Sequence, residues 1–384
     1  MDGGQLRKLA ADLVAIPSVN PLEGPIGEGR GEGELVAFVV SRLREAGIDC
    51  ETPEALPGRP NVVARVAGES EEAIVFDAHM DTVSAEGMEF EPFAGRIEGD
   101  KLYGRGSADC KGCLAAMMAA LMAVAQGGGK PAKTVILTGT ADEEHRMRGL
   151  LSLLDSGLTA KAAIIGEPTS LEIVVAHKGV ARFRVTTTGK AVHSSVPDQG
   201  VNAIYRMGRV LQALEQYAKG GVGAGSHPLL GRATLSVGVI RGGEYVNVVP
   251  DRCEIDVDRR LLPGDEGHKA VGDVRGYLMH AIEEEMGLEV GKAELLVPAM
   301  DLSSDHPLVR GVSAVVREVT GKAPVRGMTG TTHAGQFVER GVPALVVGPG
   351  TTGQAHTATE ELDLNQLEQG AAIYEALMRN GAGQ

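Results

Sequence analysis

The stretch from residue 73 to residue 112 constrains the fold more than any other part of this 384-residue chain. An apolar run, Ala73–Phe76, leads into a strand end that carries His79 and Asp81, and a glycine-rich segment then delivers Asp109 to the start of an apolar helix. Alternation along a strand places His79 and Asp81 on the same side of it. One histidine and two aspartates brought together in this way are candidate ligands of a metal ion.

Apolar strands alternate with helices on both sides of this stretch, a pattern typical of an α/β sheet with buried strands. Apolar spacing and the positions of glycine and proline predict where each element begins and ends. The predicted elements are the helices Leu6–Val14 and Leu35–Ala46, the strands Asn61–Val66 and Ala73–Phe76, the helix Gly112–Ala125, the strands Thr134–Thr140 and Ala162–Ile165, and later the helix Leu308–Val319, the strand Ala344–Val347 and a closing helix through Met378.

The pattern changes after residue 178, where strands with alternating polar and apolar residues begin. The order βαββαβ predicted there is that of a ferredoxin-like domain. We therefore predict that residues 179–297 form a domain inserted into a mixed-sheet α/β domain made of residues 1–178 and 298–384. The predicted inserted elements are Val180–Thr188, the helix Val201–Lys219, the strands Ala233–Ile240 and Val246–Asp258, the helix Gly267–Met286 and the strand Leu288–Val297.

Acidic and histidine side chains follow the predicted strands at the point where each strand ends. Any one of them alone is ordinarily a solvated charge, but open α/β sheets place their sites at this edge, so the set is expected to converge. Two histidines and three or four carboxylates suit a pair of zinc-like ions roughly 3.5–4 Å apart. The candidates are His79, Asp81, Asp109, Glu143, Glu144, Glu167 and His356.

The formal net charge of −14 argues against a nucleic acid or an anionic membrane surface as a partner. The negative net charge does not exclude an anionic small molecule as substrate, because a local cluster of arginine or histidine can oppose the overall negative field. We find neither a signal peptide nor an apolar run long enough to cross a bilayer, and the four cysteines fit a reducing compartment. These features predict a cytoplasmic protein.

Five motifs resemble, in the same order, those of the zinc-dependent amidohydrolase and peptidase family that includes acetylornithine deacetylase, succinyl-diaminopimelate desuccinylase, aminoacylase and glutamate carboxypeptidase. The resemblance covers essentially the whole chain, and the family also carries an inserted ferredoxin-like lid. The motifs are His79-Met80-Asp81, the Gly104-Arg105-Gly106 run into Asp109, Glu143-Glu144, Gly166-Glu167-Pro168-Thr169 and His356.

The resemblance implies a centre that holds two divalent metal ions, with zinc as the expected metal and cobalt or manganese as alternatives. Asp109 would bridge the two ions. His79 and Glu167 would complete one site. Glu144 and His356 would complete the other.

The resemblance also implies how the remaining groups of this centre act. Glu143 would be the general base, and Asp81 would lie behind His79 and hold its tautomer. The peptide bond between Asp109 and Cys110 is expected to be cis, as it is in relatives.

Contacts with the substrate are implied chiefly in the inserted domain. His193, Asn247 and Arg260 match family residues that bind substrate, and a planar arginine fork suits the carboxylate of an amino acid. Gly330, in the glycine–threonine loop near the C-terminus, is a further candidate. His333 stands in that loop where the family often has an aspartate.

We therefore predict a two-metal hydrolase that cleaves the amide bond of a small N-acylated amino acid or dipeptide, with N-acetylornithine deacetylation as the best single choice. A succinyl-diaminopimelate desuccinylase and a small carboxypeptidase or dipeptidase are the alternatives among enzymes. Outside enzymes the alternative is an inactive metal-binding scaffold, which would need no base such as Glu143. Because relatives dimerise through the inserted domain, we expect a homodimer in which His193 serves the neighbouring subunit.

Overall fold

A computed structural model describes residues 2–223, 225–282 and 287–382 of the chain. The chain forms two compact units. The unit that we call the discontinuous unit comprises Met1–Val175, Leu302–Arg326 and Thr332–Gln384, and the inserted unit comprises Ala176–Asp301 and Gly327–Thr331. The inserted unit thus begins and ends a few residues outside the predicted range 179–297. The segment Gly327–Thr331, which we predicted in the first domain, belongs to the inserted unit instead.

The discontinuous unit is built on a mixed sheet in the strand order β1-β4-β8-β5-β9-β21-β10, which confirms the predicted fold class. The four central strands β8, β5, β9 and β21 run parallel, and the outer pairs are antiparallel. The strands that lie or begin in this unit, numbered in chain order, are β1 (Cys50–Glu51), β2 (Glu54–Leu56), β3 (Arg59–Pro60), β4 (Val62–Val66), β5 (Ser70–His79), β6 (Arg96–Glu98), β7 (Lys101–Tyr103), β8 (Lys133–Thr140), β9 (Ala162–Ile165), β10 (Ile173–His177), β20 (Val325–Met328), β21 (Ala344–Val346) and β22 (Glu361–Asp363).

Helices cover the buried strands of this sheet, and apolar stripes decide which faces they bury. Leu6, Leu9 and Leu13 recur at helical spacing and are buried. The helices, also numbered in chain order, are α1 (Gly3–Val14), α2 (Gly33–Glu45), α3 (Gly112–Gln126), α4 (Arg148–Asp155), α7 (Pro307–Thr320), α8 (Ala334–Glu339) and α9 (Leu364–Asn380). Sequence periodicity missed α4 and α8, which are short, and the buried strand β10.

One helical stretch, Ser107–Gln126, is long and apolar enough by length and composition to cross a membrane, so the expectation that the chain has no such run was wrong. Its 20 residues have a mean hydropathy of 1.5, and 83% of the apolar window is buried inside the structure. The run is therefore apolar on all sides because it is a core helix. Nearby, the Tyr374 hydroxyl of α9 donates a hydrogen bond to the Val347 carbonyl, and the Tyr374 ring contacts Phe76 edge to face.

The inserted unit has the predicted ferredoxin-like topology. Its antiparallel sheet has the strand order β15-β17-β11-β18, and the element order is βαββαβ. Buried apolar residues from both helices and the sheet form its core. Its elements are β11 (Gly179–Thr188), β12 (Val192–His193), α5 (Ala203–Lys219), β13 (Ser226–His227), β14 (Gly231–Arg232), β15 (Thr234–Gly242), β16 (Val248–Val249), β17 (Arg252–Leu261), α6 (Gly267–Ala281), β18 (Leu288–Val297) and β19 (Met300–Asp301).

One predicted bound in the inserted unit needs correction, and another cannot be compared with the structure. The predicted strand Val246–Asp258 is wrong, because the chain forms the short strand β16, which pairs with β12, and β17 begins only at Arg252. The apolar side chains of Val246, in a loop, and Val248, in β16, are exposed, and sequence alternation alone cannot separate the loop from the strands on either side. The predicted helix end at Met286 lies outside the described residues.

Candidate metal centre

Three strand ends of the discontinuous unit deliver the predicted ligands to one edge of the sheet. β5 ends at His79, β8 ends three residues before Glu143, and β9 ends two residues before Glu167. These strands are parallel neighbours, so their carboxyl ends lie side by side, at the edge where open α/β sheets bind ligands. At this edge the possible ligand atoms of Asp109, Glu144 and His356 lie within 4.8 Å of one another, as do those of His79, Asp109 and the buried Cys110.

Asp109 lies between the two histidines of the cluster. Its Oδ1 is 3.0 Å from His79 Nε2, and its Oδ2 is 3.3 Å from His356 Nε2. His356 Nε2 is also 3.1 Å from a carboxylate oxygen of Glu144. Each oxygen of the Asp109 carboxylate thus faces a different histidine. A ligand that bridges two metal ions requires this arrangement. The peptide bond between Asp109 and Cys110 is cis, as expected.

The Glu360 carboxylate fixes the backbone that carries Asp109, and sequence reasoning missed it. Its Oε1 accepts hydrogen bonds from the backbone N–H groups of Ala108 and Asp109, both at 3.0 Å. Its other oxygen pairs with Arg105 at 2.6 Å, and both side chains are buried. The sequence did contain an indication of such a residue. Arg105 lies in the glycine-rich motif, and an arginine buried in a glycine-rich turn needs an acidic partner.

Asp81 positions the segment that carries the predicted base. Its carboxylate accepts hydrogen bonds from the backbone N–H groups of Glu143 and Glu144, at 3.0 and 3.1 Å, and from Asn20 Nδ2 at 2.6 Å. His79 Nδ1 is 2.9 Å from the backbone carbonyl of Asp81 and 3.7 Å from its carboxylate. Asp81 therefore lies behind His79, and its backbone carbonyl is closer to Nδ1 than its carboxylate is.

A buried ion network supports the same segment from behind. The Arg59 guanidinium binds Glu32 at 2.6 Å and Asp142 at 2.8 Å, and all three side chains are buried. Arg148 closes the network with a 2.6 Å contact to Asp142. Truncating one partner of such a network would leave a buried charge unpaired, at a cost of about 3–5 kcal/mol. This network, absent from the sequence analysis, fixes the residue directly before Glu143.

The donor set fits divalent cations. Burial, reinforced by the charge of Asp109, raises the pKa of Glu144 to about 7 and that of Glu167 well above its ordinary value. Hydrogen bonds to Asp109 and Glu144 raise the pKa of His356 to about 10. The Glu167 carboxylate accepts no hydrogen bond from any residue that the structure describes. Crowded carboxylates with a nearby imidazole are stabilised when a cation replaces the shared protons.

A cavity of about 890 Å³ opens beside this centre within the discontinuous unit. Glu144 and Asn20 line it, together with Arg30 and Phe93. Its volume lies in the range of small-molecule pockets. The cavity therefore reaches the centre at Glu144.

The remaining predicted substrate residues lie in the inserted unit. His193 and Asn247 are exposed, and His193 Nδ1 is 2.7 Å from Ser195 Oγ. Gly330 is half-buried. The Arg260 fork is already engaged, since its Nε lies 2.7 Å from Asp258 Oδ1. A substrate carboxylate would have to compete with Asp258 for this arginine.

Comparison with known proteins identifies relatives over nearly the whole chain. The model of peptidase family M20/M25/M40 matches residues 75–380. Acetylornithine deacetylase of Vibrio campbellii is 31% identical over 349 residues, which cover 88% of this chain and 89% of that enzyme.

Solved structures share the fold at low sequence identity. A metallo-carboxypeptidase of the M20 family from Sulfolobus solfataricus has a TM-score of 0.81 at 18% identity, covering 99% of each chain. A dinuclear metal-binding peptidase of the same family from Bacillus subtilis has a TM-score of 0.70 at 16% identity, covering 98% of each chain.

Proposed function

Since this chain belongs to peptidase family M20/M25/M40 and is a metal-dependent hydrolase, we propose that it removes the acetyl group from a small N-acetylated amino acid of the N-acetylornithine type. The observation that carries the proposal is the position of Asp109, whose two oxygens face His79 and His356 beside the segment that holds Glu143. The named activity of the relatives, acetylornithine deacetylation at about 30% identity, supports the choice of substrate.

Two divalent ions are the cofactor that we propose, with zinc as the first choice. His79, Asp109 and Glu167 would hold one ion, and Asp109, Glu144 and His356 the other. Nitrogen and carboxylate donors suit zinc, and they also accept cobalt or manganese. When bound, such ions lower the pKa of water and polarise the acyl carbonyl.

Glu143 is positioned to move the proton that the reaction requires. Burial and the charges of Asp81 and Asp109 raise its pKa above the ordinary value of a glutamate, a change that suits a general base. Glu143 takes a proton from the attacking water as the water oxygen bonds to the acyl carbon. The same carboxyl group then gives this proton to the leaving amine when the C–N bond breaks. His193 would donate a hydrogen bond to the oxyanion that forms between these two steps.

A panel of acylated amino acids tests the choice of substrate. The purified protein with added Zn²⁺ or Co²⁺ is assayed on N-acetylornithine, other N-acetyl amino acids, N-succinyl-diaminopimelate, N-formyl amino acids and dipeptides. We expect kcat/KM for N-acetylornithine to exceed that for the succinyl substrate and the dipeptides by at least about 10-fold, because one misplaced group costs about 1–3 kcal/mol in a pocket. Preference for a succinyl or peptide substrate would contradict the proposal.

We also propose a homodimer formed through the inserted unit. β15 lies at an edge of its sheet, where unpaired backbone groups can bind another chain. Val239 and Ile240 of this strand and Tyr245 beyond it are exposed apolar side chains. Size measurement in solution by light scattering tests the dimer, and a monomer at all concentrations would contradict it.

Mixing two inactive variants tests whether His193 serves the neighbouring subunit. His193→Ala should lower kcat by about 10²–10³-fold, the usual effect of losing one oxyanion donor. If His193 acts across the dimer, mixed dimers of His193→Ala with Glu143→Ala contain one intact site, and activity should return on subunit exchange. Homodimers of each variant, treated identically, are the controls. Mixed dimers without recovered activity would place His193 in its own subunit or outside catalysis.

A further inference from the structure

One face of strand β17 in the inserted unit carries a buried charge in an otherwise apolar row. The buried apolar side chains that alternate along this face are those of Cys253, Ile255, Val257 and Leu261. Arg259 lies in the same row and is only 3% exposed. Its neighbour Arg260 projects to the opposite face, where it binds Asp258. A guanidinium buried in this way needs hydrogen-bond partners, and preferably a negative charge.

Arg259 lacks a full set of partners among the residues that the structure describes. Its Nη1 donates a hydrogen bond to the backbone carbonyl of Arg260, but its Nε is buried with no hydrogen-bond partner. Asp265 Oδ2 lies 3.9 Å from Nη2, too far for a hydrogen bond. The same Asp265 oxygen is engaged elsewhere, because it accepts a hydrogen bond from the backbone N–H of Leu262 at 2.9 Å. Nε and Nη2, which form one edge of the guanidinium, are therefore left to bind another group.

A cavity of about 460 Å³ within the inserted unit is lined by this arginine. Asp265 and Gly223 both line the cavity, and both lie beside Nη2, since a Cβ atom at Gly223 would be 3.8 Å from that nitrogen. The free edge of Arg259 therefore borders the cavity. Such an edge binds a carboxylate through two parallel hydrogen bonds, and the volume is in the range of small-molecule pockets.

The charges around the cavity favour a ligand that carries both signs. Lys269 is the second cation on its wall, and three carboxylates oppose the two cations, which leaves a net charge of −1. The carboxylates are those of Asp265, Glu266 and Asp273. Burial lowers the pKa of Arg259 although the charges of Asp265 and Asp273 act in the opposite direction, so these groups do not fully compensate its charge. The carboxylates would repel phosphate but attract the ammonium groups of a ligand whose carboxylate binds Arg259.

Two tyrosines and two glycines shape the rest of the cavity. Tyr217 of α5 and Tyr277 of α6 both line it, with ring centroids 4.8 Å apart, and tyrosine rings attract cationic groups. Gly272 and Gly276 lie one helical turn apart in α6, and a Cβ atom at either would meet nothing within 4 Å. No described neighbour therefore requires a glycine there, although each costs a helix about 1 kcal/mol relative to alanine. Space for a ligand is a reason to keep both.

We propose that this cavity binds a basic α-amino acid, with its carboxylate on the Nε–Nη2 edge of Arg259, its ammonium groups facing Asp265 and Asp273, and its side chain along the two tyrosines. The site lies in the inserted unit, whereas the proposed metal ligands lie in the discontinuous unit. Only the choice of ornithine as the first ligand rests on the proposed function, because ornithine is the product of N-acetylornithine deacetylation.

Calorimetric titration of the full-length protein with L-ornithine tests the site. Arg259→Met keeps a long side chain in the apolar row but removes the donors, so it should weaken binding at least about 10-fold, the effect of losing a charge-assisted hydrogen bond. Arg252→Met, which changes an exposed arginine of the same strand, is the matched control and should leave the affinity unchanged. Unchanged affinity in Arg259→Met would overturn the inference. So would a loss confined to Arg260→Met, which would place ornithine at the proposed substrate contact.

Filling the cavity tests the site even if Arg259→Met does not fold. Gly272→Leu places a side chain in open space and favours the helix, so the protein should fold while ornithine binding falls at least about 10-fold. Gly208→Leu is the matched control, because Gly208 lies inside α5 with nothing within 4 Å of its Cβ position and does not line the cavity. Equal binding of ornithine by the two variants would contradict a site in this cavity.

Analogues of ornithine test the class of ligand. Diaminobutane lacks the carboxylate and norvaline lacks the side-chain ammonium, so each should bind at least about 10-fold more weakly than ornithine. Inorganic phosphate that binds more tightly than ornithine would show a simple anion site and overturn the assignment. None of these titrations requires turnover. Ornithine binding without deacetylase activity would therefore contradict the proposed function alone, and activity without Arg259-dependent binding would contradict the site alone.

Discussion

Glu143→Ala should lower kcat by about 10²–10⁴-fold while both metal ions stay bound, because the variant loses the group that moves the proton but none of the predicted ligands. The Glu143 backbone would stay in place, since its N–H is held by Asp81 at 3.0 Å. Steady-state kinetics and metal analysis on the same preparation measure the two effects. KM should change little, because the base acts in the transition state rather than in binding.

Glu144→Ala is the matched control for this experiment, since it removes the neighbouring carboxylate from the same segment. Glu144 contacts His356 at 3.1 Å, so its loss should release one metal ion or weaken its binding. The two substitutions should therefore give opposite patterns of metal content. Loss of metal from the Glu143 variant, with full metal in the Glu144 variant, would reverse the assigned roles.

Removal of the metal ions by exhaustive chelation should abolish activity, and Zn²⁺, Co²⁺ or Mn²⁺ should restore it. Without cations the centre contains Glu144 and Glu167 with raised pKa values and a His356 that holds a proton between Asp109 and Glu144. Mg²⁺ is the control ion, because it prefers an octahedral set of oxygen ligands and should restore little. Full turnover at a metal content near zero would contradict a metal-dependent reaction.

Metal binding to the chelated protein can also be measured without an activity assay. A metal that binds only the folded protein stabilises it by about 2.7 kcal/mol at 100 times its dissociation constant, so thermal unfolding should shift upward. His356→Ala removes one ligand without disturbing a buried strand, and its melting temperature should respond less to added metal. An equal response of wild type and variant would place the metal elsewhere.

Much of the fold follows from local sequence. The apolar run of β5 and the wholly apolar helix α3 can hardly lie anywhere but in a core, since exposing them would leave large apolar surfaces in water. Parallel strands end at the same edge, so acidic residues after β8 and β9 were expected beside His79. Arg260 shows a local signal that we overlooked: Asp258 lies two residues earlier on the same strand and therefore on the same face, where it binds the arginine.

The sequence by itself determined the strands and helices whose periodicity is strong and the edge at which the ligands gather, because these depend on neighbours within a few residues. Only the tertiary structure decided which distant groups meet. Glu360 reaches Arg105 across 255 positions, and His333 reaches Asp77 across 256. Each polar group buried in the core must find a partner, but several partners would satisfy it, and the choice depends on which loops the finished sheet brings together.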